Sequence, residues 1–377
     1  MATVAIFGSA GVVGLEIART MIFQPDVTRL VLVDIAEEKM RTEANDCMML
    51  AEKMRLESVE VIPVVTDLTR DGAIQEVLEV YAPDVSIQAA IPISWYTLAN
   101  SVPKETWKRV NFEARIGPFL PLLLSFPIKF MEAWRAAGSP GEVIQLSLPD
   151  VVNPVLKGMG LAPSCGSGNT ENLCSTLRLE VADRLSAPTR EVDVRLISHH
   201  YHSWFMHSPS DLSDLDDRMF YFRAFWNSSD VTDEIIAQED FLPKIRKRYP
   251  YQRPRFAATS VVKNTVKMLR GDSVITHVCS PASLGGGMDA RFTANGWEPV
   301  VPNGLTMADA EAIYDVGRKA DGIETLAADG TVTFTDKAHG AMQELLGFDC
   351  KVLRPEDVHD RRDELLTCIQ SLRKAAA

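Results

Sequence analysis

The sequence lacks the features by which membrane-spanning and nucleic-acid-binding proteins are usually identified. Its most apolar stretch, IGPFLPLLLSFPIKFMEAW, is interrupted by prolines and a lysine, and no run reaches the roughly 18 to 20 apolar residues that a membrane span needs. Basic residues number 39 against 51 acidic ones, for a formal net charge of −12. Nucleic acids and anionic membranes are bound largely through clustered Lys and Arg. We therefore expect neither as a partner, and we interpret the basic stretch 244–255 as a solvated helix end and loop.

Cysteines are few, and their spacing shows no pairing. The 377 residues contain six of them, and none forms a C-x-x-C motif. This distribution is typical of reduced thiols and argues against a structural zinc site. The first strand-like segment, TVAIF, begins at residue 3, which leaves no room for a targeting segment ahead of it. We expect a cytoplasmic location and no bound metal.

Strand-like and helix-like segments alternate through the first half of the chain. TVAIFG, RLVLVDI, VEVIPVVTD, DVSIQAAI and GEVIQLSL are short apolar runs separated by segments with helical spacing. This order predicts an α/β fold with a Rossmann-type doubly wound parallel sheet over residues 1–160. The order of elements becomes mixed in residues 161–377, which predicts an α+β domain for substrate binding and oligomerisation. Its segment GIETLAADGTVTFTD indicates a hairpin turning at Asp329 and Gly330.

A glycine-rich turn, GSAGVVG, lies between the first strand and the first helix. Gly8 permits the tight turn, Gly11 permits close approach of a pyrophosphate, and Gly14 permits close packing of helix on sheet. The helix N-terminus would then hold the phosphates. Asp34 ends the next strand, where a carboxylate accepts hydrogen bonds from ribose hydroxyls and repels a 2′-phosphate. The turn therefore predicts a dinucleotide site with NAD preferred over NADP.

Further residues are predicted to line this cofactor site because they lie in the turn or at the carboxyl ends of strands. They are Val12, Val13, Asp67, Ala89, Ala90 and Ile91.

Three of the seven histidines fall within four positions of the segment LISHHYHSWFM. If the preceding strand continues through them, side-chain alternation places His199 on the face opposite His200 and His202. No carboxylate lies beside them in the sequence to complete a set of metal ligands. A proton-transfer role is therefore the better hypothesis, since the pKa of imidazole lies near neutral pH.

Taken together, these motifs resemble those of the lactate/malate dehydrogenase family over most of the chain. The resemblance is carried by VAIFGSAGVVG…LVLVDIA, DVSIQAAI, RVNFEARI, LSLPDVVNPV, GSGNTENLCSTLRLEVADRL and LISHHYHS. It implies that His200 exchanges a proton with the substrate hydroxyl while a hydride moves to or from the nicotinamide. It also implies that Asn111 and Ser147 lie near the nicotinamide. The position of the family's histidine-orienting aspartate is occupied by Asn172, or by Leu173 with a different gap.

The residues with which this family grips a 2-hydroxy carboxylate are largely replaced. The main arginine position is occupied by Ser175 or Thr176, and two loop positions by Leu98 and Lys104. Leu148 stands where the family has a polarising asparagine. The resemblance therefore implies an NAD-dependent dehydrogenase for a small-molecule secondary alcohol or ketone other than lactate or malate.

The substrate pocket is expected to combine residues from four segments. Its predicted members are Trp95, Lys104, Leu148, Thr176 and His202. The aromatic residues Tyr96, Trp204 and Phe205 are expected beside them. Aromatic side chains there suggest packing against an apolar or sugar-like face.

Alternative functions remain open at this point. A family 4 glycoside hydrolase uses NAD with a metal held by cysteine and histidine, and Cys165 with one of the three histidines could be interpreted in that way, although the family's Cys-His turn is not matched. The chain could also be a non-catalytic NAD-binding protein. A metal-independent sugar or polyol dehydrogenase differs from the main hypothesis only in its substrate. The family resemblance further implies a homodimer or homotetramer.

Overall fold

The computed structural model describes residues 2–54, 59–206, 220–238, 240–248 and 253–376. Within helices, the side chains of residues 96, 204, 205 and 374–376 are also outside the description.

The first half of the chain forms a six-stranded parallel sheet in the order β3-β2-β1-β4-β5-β6. Its strands are β1 (Ala2–Phe7), β2 (Val27–Asp34), β3 (Glu60–Val65), β4 (Val85–Gln88), β5 (Glu142–Gln145) and β6 (Cys165–Gly166). The strand order reverses between β1 and β4, where a crevice forms outside the carboxyl ends of the strands. The predicted α/β class and doubly wound sheet are confirmed.

Helices cover both faces of this sheet. They are α1 (Val12–Met21), α2 (Glu37–Met54), α3 (Ala73–Tyr81), α4 (Trp95–Ser101), α5 (Lys104–Arg109), α6 (Leu120–Ala136) and α7 (Pro149–Gly158), with a π-helical turn at Val110–Ala114 after α5. Strand alternation sends Val4 and Ile6 of β1 into one hydrophobic cluster and Ala5 and Phe7 into the other. Each face of the sheet therefore has its own core.

The second half is mixed, as predicted. Its helices are α8 (Asn169–Leu185), α9 (His200–Phe205), α10 (Thr232–Ile236), α11 (Phe241–Arg248), α12 (Pro254–Arg270), α13 (Met307–Ala320), α14 (Asp336–Leu346) and α15 (Val358–Ala376). Its strands are β7 (Val192–Ile197), β8 (Tyr221–Trp226), β9 (Ser229–Asp230), β10 (Thr276–Cys279), β11 (Gly287–Thr293), β12 (Gly296–Pro299), β13 (Ile323–Leu326), β14 (Val332–Phe334) and β15 (Val352–Leu353). They form three antiparallel sheets of three consecutive strands each. The hairpin of β13 and β14 turns at Asp329 and Gly330.

The two halves of the chain share both cores. Strand β6 completes the parallel sheet although it lies beyond residue 160. Helix α12 packs on α1, and α15 packs on α6. The parallel sheet thus depends on later segments of the chain for its covering layers.

No single helix in the described ranges is long and apolar enough to cross a membrane. The helical segments 104–114 and 117–136, bent by 107° at their junction, would meet the length and composition requirement only as a pair. Most of the apolar side chains of α6 are buried in the core.

Candidate functional site

The glycine turn is held by close backbone contacts. Gly8 has a φ of 90°, and a Cβ atom there would lie 2.7 Å from the backbone nitrogen of Ala90. At Gly14 a Cβ atom would lie 2.3 Å from the carbonyl oxygen of Gly8. Side chains at these two positions would therefore separate β1 from β4 or α1 from the turn. Gly11 directly precedes α1, so the turn brings a helix N-terminus to the crevice.

Asp34 secures the same turn from the end of β2. Its Oδ2 accepts a hydrogen bond from the Ala10 backbone N–H at 2.9 Å, and its Oδ1 accepts one from Ala36 at 3.0 Å. The carboxylate is thus fixed beside the glycine turn. A dinucleotide whose pyrophosphate met the N-terminus of α1 would present its adenosine ribose to this carboxylate.

A cleft with a cavity volume of about 480 Å³ opens at this edge of the sheet. It is lined by residues from both halves of the chain. The predicted site residues that line it are Val13, Ala89, Ile91, Trp95, Asn111, Ser147, Leu148, Asn172 and His200. Its size is that of a small-molecule site.

Three predicted cofactor residues lie beside the turn or away from the cleft. Val12 is 52% exposed at the start of α1, and the backbone of Ala90 packs against Gly8. Asp67 does not line the cleft as predicted, because its exposed carboxylate accepts hydrogen bonds from the backbone and hydroxyl of Thr69. Asp67, in the turn that follows β3, therefore lies outside the cleft lining.

Three predicted substrate residues also lie outside the cleft lining. Lys104 is exposed at the first position of α5, as expected of a solvated helix start. Thr176 is buried and donates its hydroxyl to the carbonyl of Asn172 at 2.8 Å. His202 is buried, and its Nδ1 accepts a hydrogen bond from the His199 backbone N–H at 2.8 Å. The side chains of Tyr96, Trp204 and Phe205 lie outside the described part of the chain.

The histidine segment does not continue the strand. β7 ends at Ile197, and His200 begins the short helix α9. The expected alternation of His199 against His200 and His202 is therefore wrong, because strand periodicity does not apply beyond Ile197. His199 and His202 are turned into the protein, and His200 alone of the three lines the cleft.

A carboxylate far away in the sequence orients the His200 ring. Nδ1 of His200 lies 2.8 Å from Oδ2 of Asp321, which is fully buried at the end of α13. The prediction that Asn172 takes this position is corrected: Asn172 lines the cleft, but the hydrogen-bonding partner of the ring is Asp321. With Nδ1 engaged, Nε2 is the ring nitrogen left for a ligand.

Asp321 is itself held by a buried arginine. Nη2 of Arg115 lies 3.3 Å from Oδ1 of Asp321, and the guanidinium also donates to the carbonyls of Asn111 and Ala320. The guanidinium carbon sits 5.1 Å from the centroid of the Tyr201 ring. Arg115 also has a φ of 67°, a strained backbone for a residue with a side chain. These contacts leave Asp321 little freedom to turn away from His200.

Burial and charge act in opposite directions on this pair. Burial lowers the pKa of His200, but the carboxylates of Asp321 and Asp150 more than offset this, and the pKa is raised above its ordinary value. Burial raises the pKa of Asp321, but the charges of His200 and Arg115 outweigh it and hold the pKa well below the usual range. In contrast, burial lowers the pKa of His199 to about 3 and that of His202 to about 4. His200 is therefore the member of the segment suited to exchange protons near neutral pH.

Sequence reasoning missed several polar residues that line the cleft. They include Arg115, Asp150, Arg253, Cys279 and Asp321. Asp150 follows the positive-φ residue Leu148 and lies in the first turn of α7. Its place within the segment LSLPDV was the only available signal. Nothing in the spacing of Asp321, which lies 121 positions after His200, connects the two.

The described residues contain no group of three or more His, Cys, Asp or Glu side chains placed to hold a metal ion. Cys165, considered above as a metal ligand, is fully buried in β6, where its backbone pairs with Ile144. It is not among the residues that line the cleft.

Comparison with known proteins gives structural similarity without sequence similarity. No protein-family model and no curated protein matches the sequence. A malate dehydrogenase from Plasmodium falciparum, solved with NADH, is 12% identical with a TM-score of 0.56, covering 98% of this chain and 100% of that one. A lactate dehydrogenase from a Medee basin deep-sea metagenome is 16% identical with a TM-score of 0.58, covering 85% and 97%.

A third similar structure is the lactate dehydrogenase from Cryptosporidium parvum, solved with lactic acid and nicotinamide adenine dinucleotide. It is 16% identical with a TM-score of 0.57, covering 85% of this chain and 96% of that one. The chain thus has the fold of the lactate and malate dehydrogenases, as its motifs predicted.

Proposed function

We propose that this chain, which shares the fold of the lactate and malate dehydrogenases, is an NAD-dependent dehydrogenase. Its substrate is a secondary alcohol or ketone other than lactate or malate. The observation that carries the proposal is the hydrogen bond between His200 and Asp321 in a cleft that begins at the glycine turn. An oriented imidazole with a raised pKa supplies the acid–base group that such a reaction requires.

The residues present fit a dinucleotide. Gly8, Gly11 and Gly14 let the turn pack closely on its own backbone and bring the N-terminus of α1 to the crevice, and Asp34 is fixed beside them. Val13, Ala89 and Ile91 line the adjoining part of the cleft, with Asn111 and Ser147 further along it. When bound, NAD would accept the hydride from the carbinol carbon. Asp34 favours NAD over NADP because a carboxylate repels a 2′-phosphate.

His200 would accept or donate the proton that is transferred together with the hydride. During oxidation the hydroxyl proton of the substrate moves to Nε2 of His200, and during reduction the same nitrogen returns it to the new hydroxyl oxygen. Asp321 holds the ring through Nδ1 and stabilises the imidazolium that forms. Arg115 keeps Asp321 in place and ionised. Asp321 and Arg115 are positioning residues in this scheme.

The cleft lining supports a substrate other than lactate or malate. Leu98 and Leu148 line the cleft at positions where the family resemblance implies polar or cationic residues. Lys104 and Thr176, at two further positions of that kind, do not line it. A 2-keto acid is normally held by a bidentate arginine. The resemblance extends the proposal to a homodimer or homotetramer, and the unpaired cysteines extend it to a cytoplasmic location.

The proposal is tested by incubating the protein with NAD and a panel of secondary alcohols while following NADH absorbance. We expect turnover that His200→Gln lowers by at least about 100-fold, with NADH binding retained in a fluorescence titration. Binding of NADH without turnover on any alcohol would instead favour a non-catalytic NAD-binding protein. Activity on lactate or malate equal to that on the best alcohol would contradict the proposed substrate class.

A chelator separates this function from a metal-dependent glycosidase. Since the described residues offer no metal cluster, we expect EDTA to leave the NADH-forming rate unchanged. Loss of activity with EDTA and its recovery with a divalent cation would favour the family 4 glycosidase interpretation.

A further inference from the structure

A buried carboxylate in the cleft is only half satisfied. Asp150 is 2% exposed, and its Oδ1 accepts a hydrogen bond from the Cys279 thiol at 2.8 Å. Its Oδ2 is buried and has no hydrogen-bond partner within 3.5 Å in the described structure, although the backbone N–H of His200 lies close enough to the carboxyl to lower its pKa. Asp150 and Cys279 both line the cleft that contains His200. An unpaired carboxylate oxygen in such a place is costly unless a ligand supplies a donor.

The surroundings of Asp150 keep its negative charge available at neutral pH. Burial raises the pKa of this carboxyl to about 6, which still leaves it largely ionised at pH 7. Burial and the neighbouring Asp150 raise the pKa of the Cys279 thiol, so the thiol remains a donor. Asp150 also lies in the first turn of α7, where the helix dipole favours a negative charge.

The cations that line the cleft are placed elsewhere. Arg115 is committed to Asp321 and to two backbone carbonyls. Arg253 is exposed at the start of α12. Since Arg270 at the other end of α12 pairs with Asp26, which follows α1, the start of α12 lies at the glycine-turn end of α1. His200 is neutral in the form that accepts the substrate proton, so it offers no charge to a substrate carboxylate in that form. A carboxylate on the substrate would therefore meet Asp150 without a dedicated cation.

An aromatic cluster forms another part of the cleft wall. The ring centroid of Trp95 lies 4.9 Å from that of Trp107 and 5.4 Å from that of Phe119, both in edge-on contact. All three residues line the cleft, together with Leu98 and Leu148. This wall offers apolar surface to an apolar part of a substrate.

Building on the proposed function, we propose that Asp150 selects a secondary alcohol whose neighbouring carbon bears a hydrogen-bond donor and whose other side is an apolar tail. The donor is a hydroxyl or an ammonium group, which would bond to Oδ2 of Asp150. The same oxygen repels a carboxylate at that position. Asp150 thus disfavours a substrate carboxylate, whereas the arginine of a 2-hydroxy acid dehydrogenase binds one.

Four compounds of equal chain length test this selection. They are hexan-2-ol, hexane-1,2-diol, 1-aminohexan-2-ol and 2-hydroxyhexanoate, each assayed with NAD as kcat/KM. We expect the diol or the amino alcohol to exceed both hexan-2-ol and 2-hydroxyhexanoate by about 10- to 100-fold, the range of a hydrogen bond to a charged group. The better of the two identifies the donor as hydroxyl or ammonium.

Three variants assign the selection to Asp150. In Asp150→Asn, we expect the preference over hexan-2-ol to fall by about 10-fold or more, since the charge is lost. Cys279→Ala leaves the carboxylate in place but removes its tether, so a smaller loss is expected, and this variant serves if Asp150→Asn does not fold. Asp233→Asn is the matched control, because its carboxylate is 98% exposed and outside the cleft lining.

The outcomes separate this inference from the proposed function. Turnover with equal rates on all four compounds, or with 2-hydroxyhexanoate the best, would overturn the role of Asp150 and leave the dehydrogenase intact. The same conclusion follows if the preference survives in Asp150→Asn and Cys279→Ala. If no compound is oxidised, the proposed function fails. Thermal stabilisation of the NADH-bound protein by the same compounds would then measure the selection: donor-bearing compounds stabilising most supports it, and equal shifts overturn it.

Discussion

Nδ1 of His200 and Oδ2 of Asp321 lie 2.8 Å apart although 121 residues separate them in the chain. The contact joins the start of α9 to the end of α13, two helices that pack against each other. Close packing is possible because position 317 of α13 is glycine. A Cβ atom there would lie 2.4 Å from Cβ of His199. The geometry of the candidate acid–base group is therefore set by helix packing as well as by the two side chains.

Removing the charge of Asp321 should change both the rate and its pH dependence. In Asp321→Asn, burial continues to lower the pKa of His200 while its strongest opposing charge is gone. Since oxidation needs a neutral imidazole, the acid limb of kcat/KM should move to lower pH. We expect the plateau rate to fall by about 10²- to 10⁴-fold, because the imidazolium loses its stabilising carboxylate.

A pH–rate profile of NAD reduction checks this prediction. Asn172→Ala is the informative comparison, because it alters the cleft residue that the sequence had suggested as the partner. We expect Asn172→Ala to leave the position of the acid limb unchanged. An unshifted limb in Asp321→Asn would contradict the orienting role of Asp321.

Gly14→Ala should damage the cofactor site and the fold around it. The new methyl group would lie 2.3 Å from the Gly8 carbonyl oxygen, so α1 must shift away from the turn. We expect a loss of roughly 1–3 kcal/mol in the free energy of unfolding and a rise of about 10-fold or more in the Kd for NADH. Chemical denaturation and a fluorescence titration measure the two effects.

Gly340→Ala provides the control for that substitution. Gly340 lies in α14, is exposed, and has no atom within 4 Å of a built Cβ. Alanine is a better helix former than glycine, so we expect a gain of up to about 1 kcal/mol in stability. NADH affinity should stay as in the wild type.

Asp34→Asn should weaken the discrimination between the two nicotinamide cofactors. The amide oxygen can still accept the hydrogen bond that Asp34 takes from the Ala10 backbone, so the turn should be retained. The charge that repels a 2′-phosphate is lost. We expect the NAD-to-NADP ratio of kcat/KM to fall by about 10-fold or more. An unchanged ratio would show that discrimination resides elsewhere.

Acid should destabilise the protein through its neutral buried histidines. Burial lowers the pKa of His199 and His277 to about 3 and that of His202 to about 4, against an ordinary value of 6.5. Below pH 6.5 these histidines are therefore protonated in the unfolded chain but stay neutral in the folded chain. The free energy of unfolding decreases as the pH is lowered, until the pH reaches the pKa values of the folded state. Three such groups contribute up to about 4 kcal/mol per pH unit.

Urea unfolding between pH 7 and pH 5 measures this slope. His200, Asp150 and Asp289 contribute in the opposite sense, because their raised pKa values add stability at low pH that is lost as pH rises through the folded values, so the net slope is smaller than that of the three neutral histidines alone. His277→Gln should reduce the slope by about one proton, because it removes one of the three neutral buried histidines. Position 277 lies outside the cleft lining, so the substitution does not change a residue of the site. A slope equal to that of the wild type would contradict the assignment of His277 as neutral.

The sequence by itself determined the parallel sheet and the glycine turn with Asp34, and it indicated His200 as the candidate proton-transfer residue. These features depend on local patterns: apolar runs predict the strands, glycine spacing predicts the turn, and the segment LISHHYHS indicated His200. The end of β7 at Ile197 was not recognised, because LISHHYHS has no residue that must terminate a strand. The prediction that Asp67 lines the cleft was wrong for a similar reason, since its local turn with Thr69 is formed by hydrogen bonds within the loop.

Only the tertiary structure decided which groups surround His200. Asp321, Arg115, Asp150 and Cys279 come from four separate segments, and they meet because the C-terminal half of the chain folds back over the parallel sheet. The position that normally holds the aspartate is Asn172, so motif alignment pointed to the wrong partner. Hydrogen bonding requires proximity in space, and a carboxylate supplied by α13 meets that requirement as well as one supplied by α8.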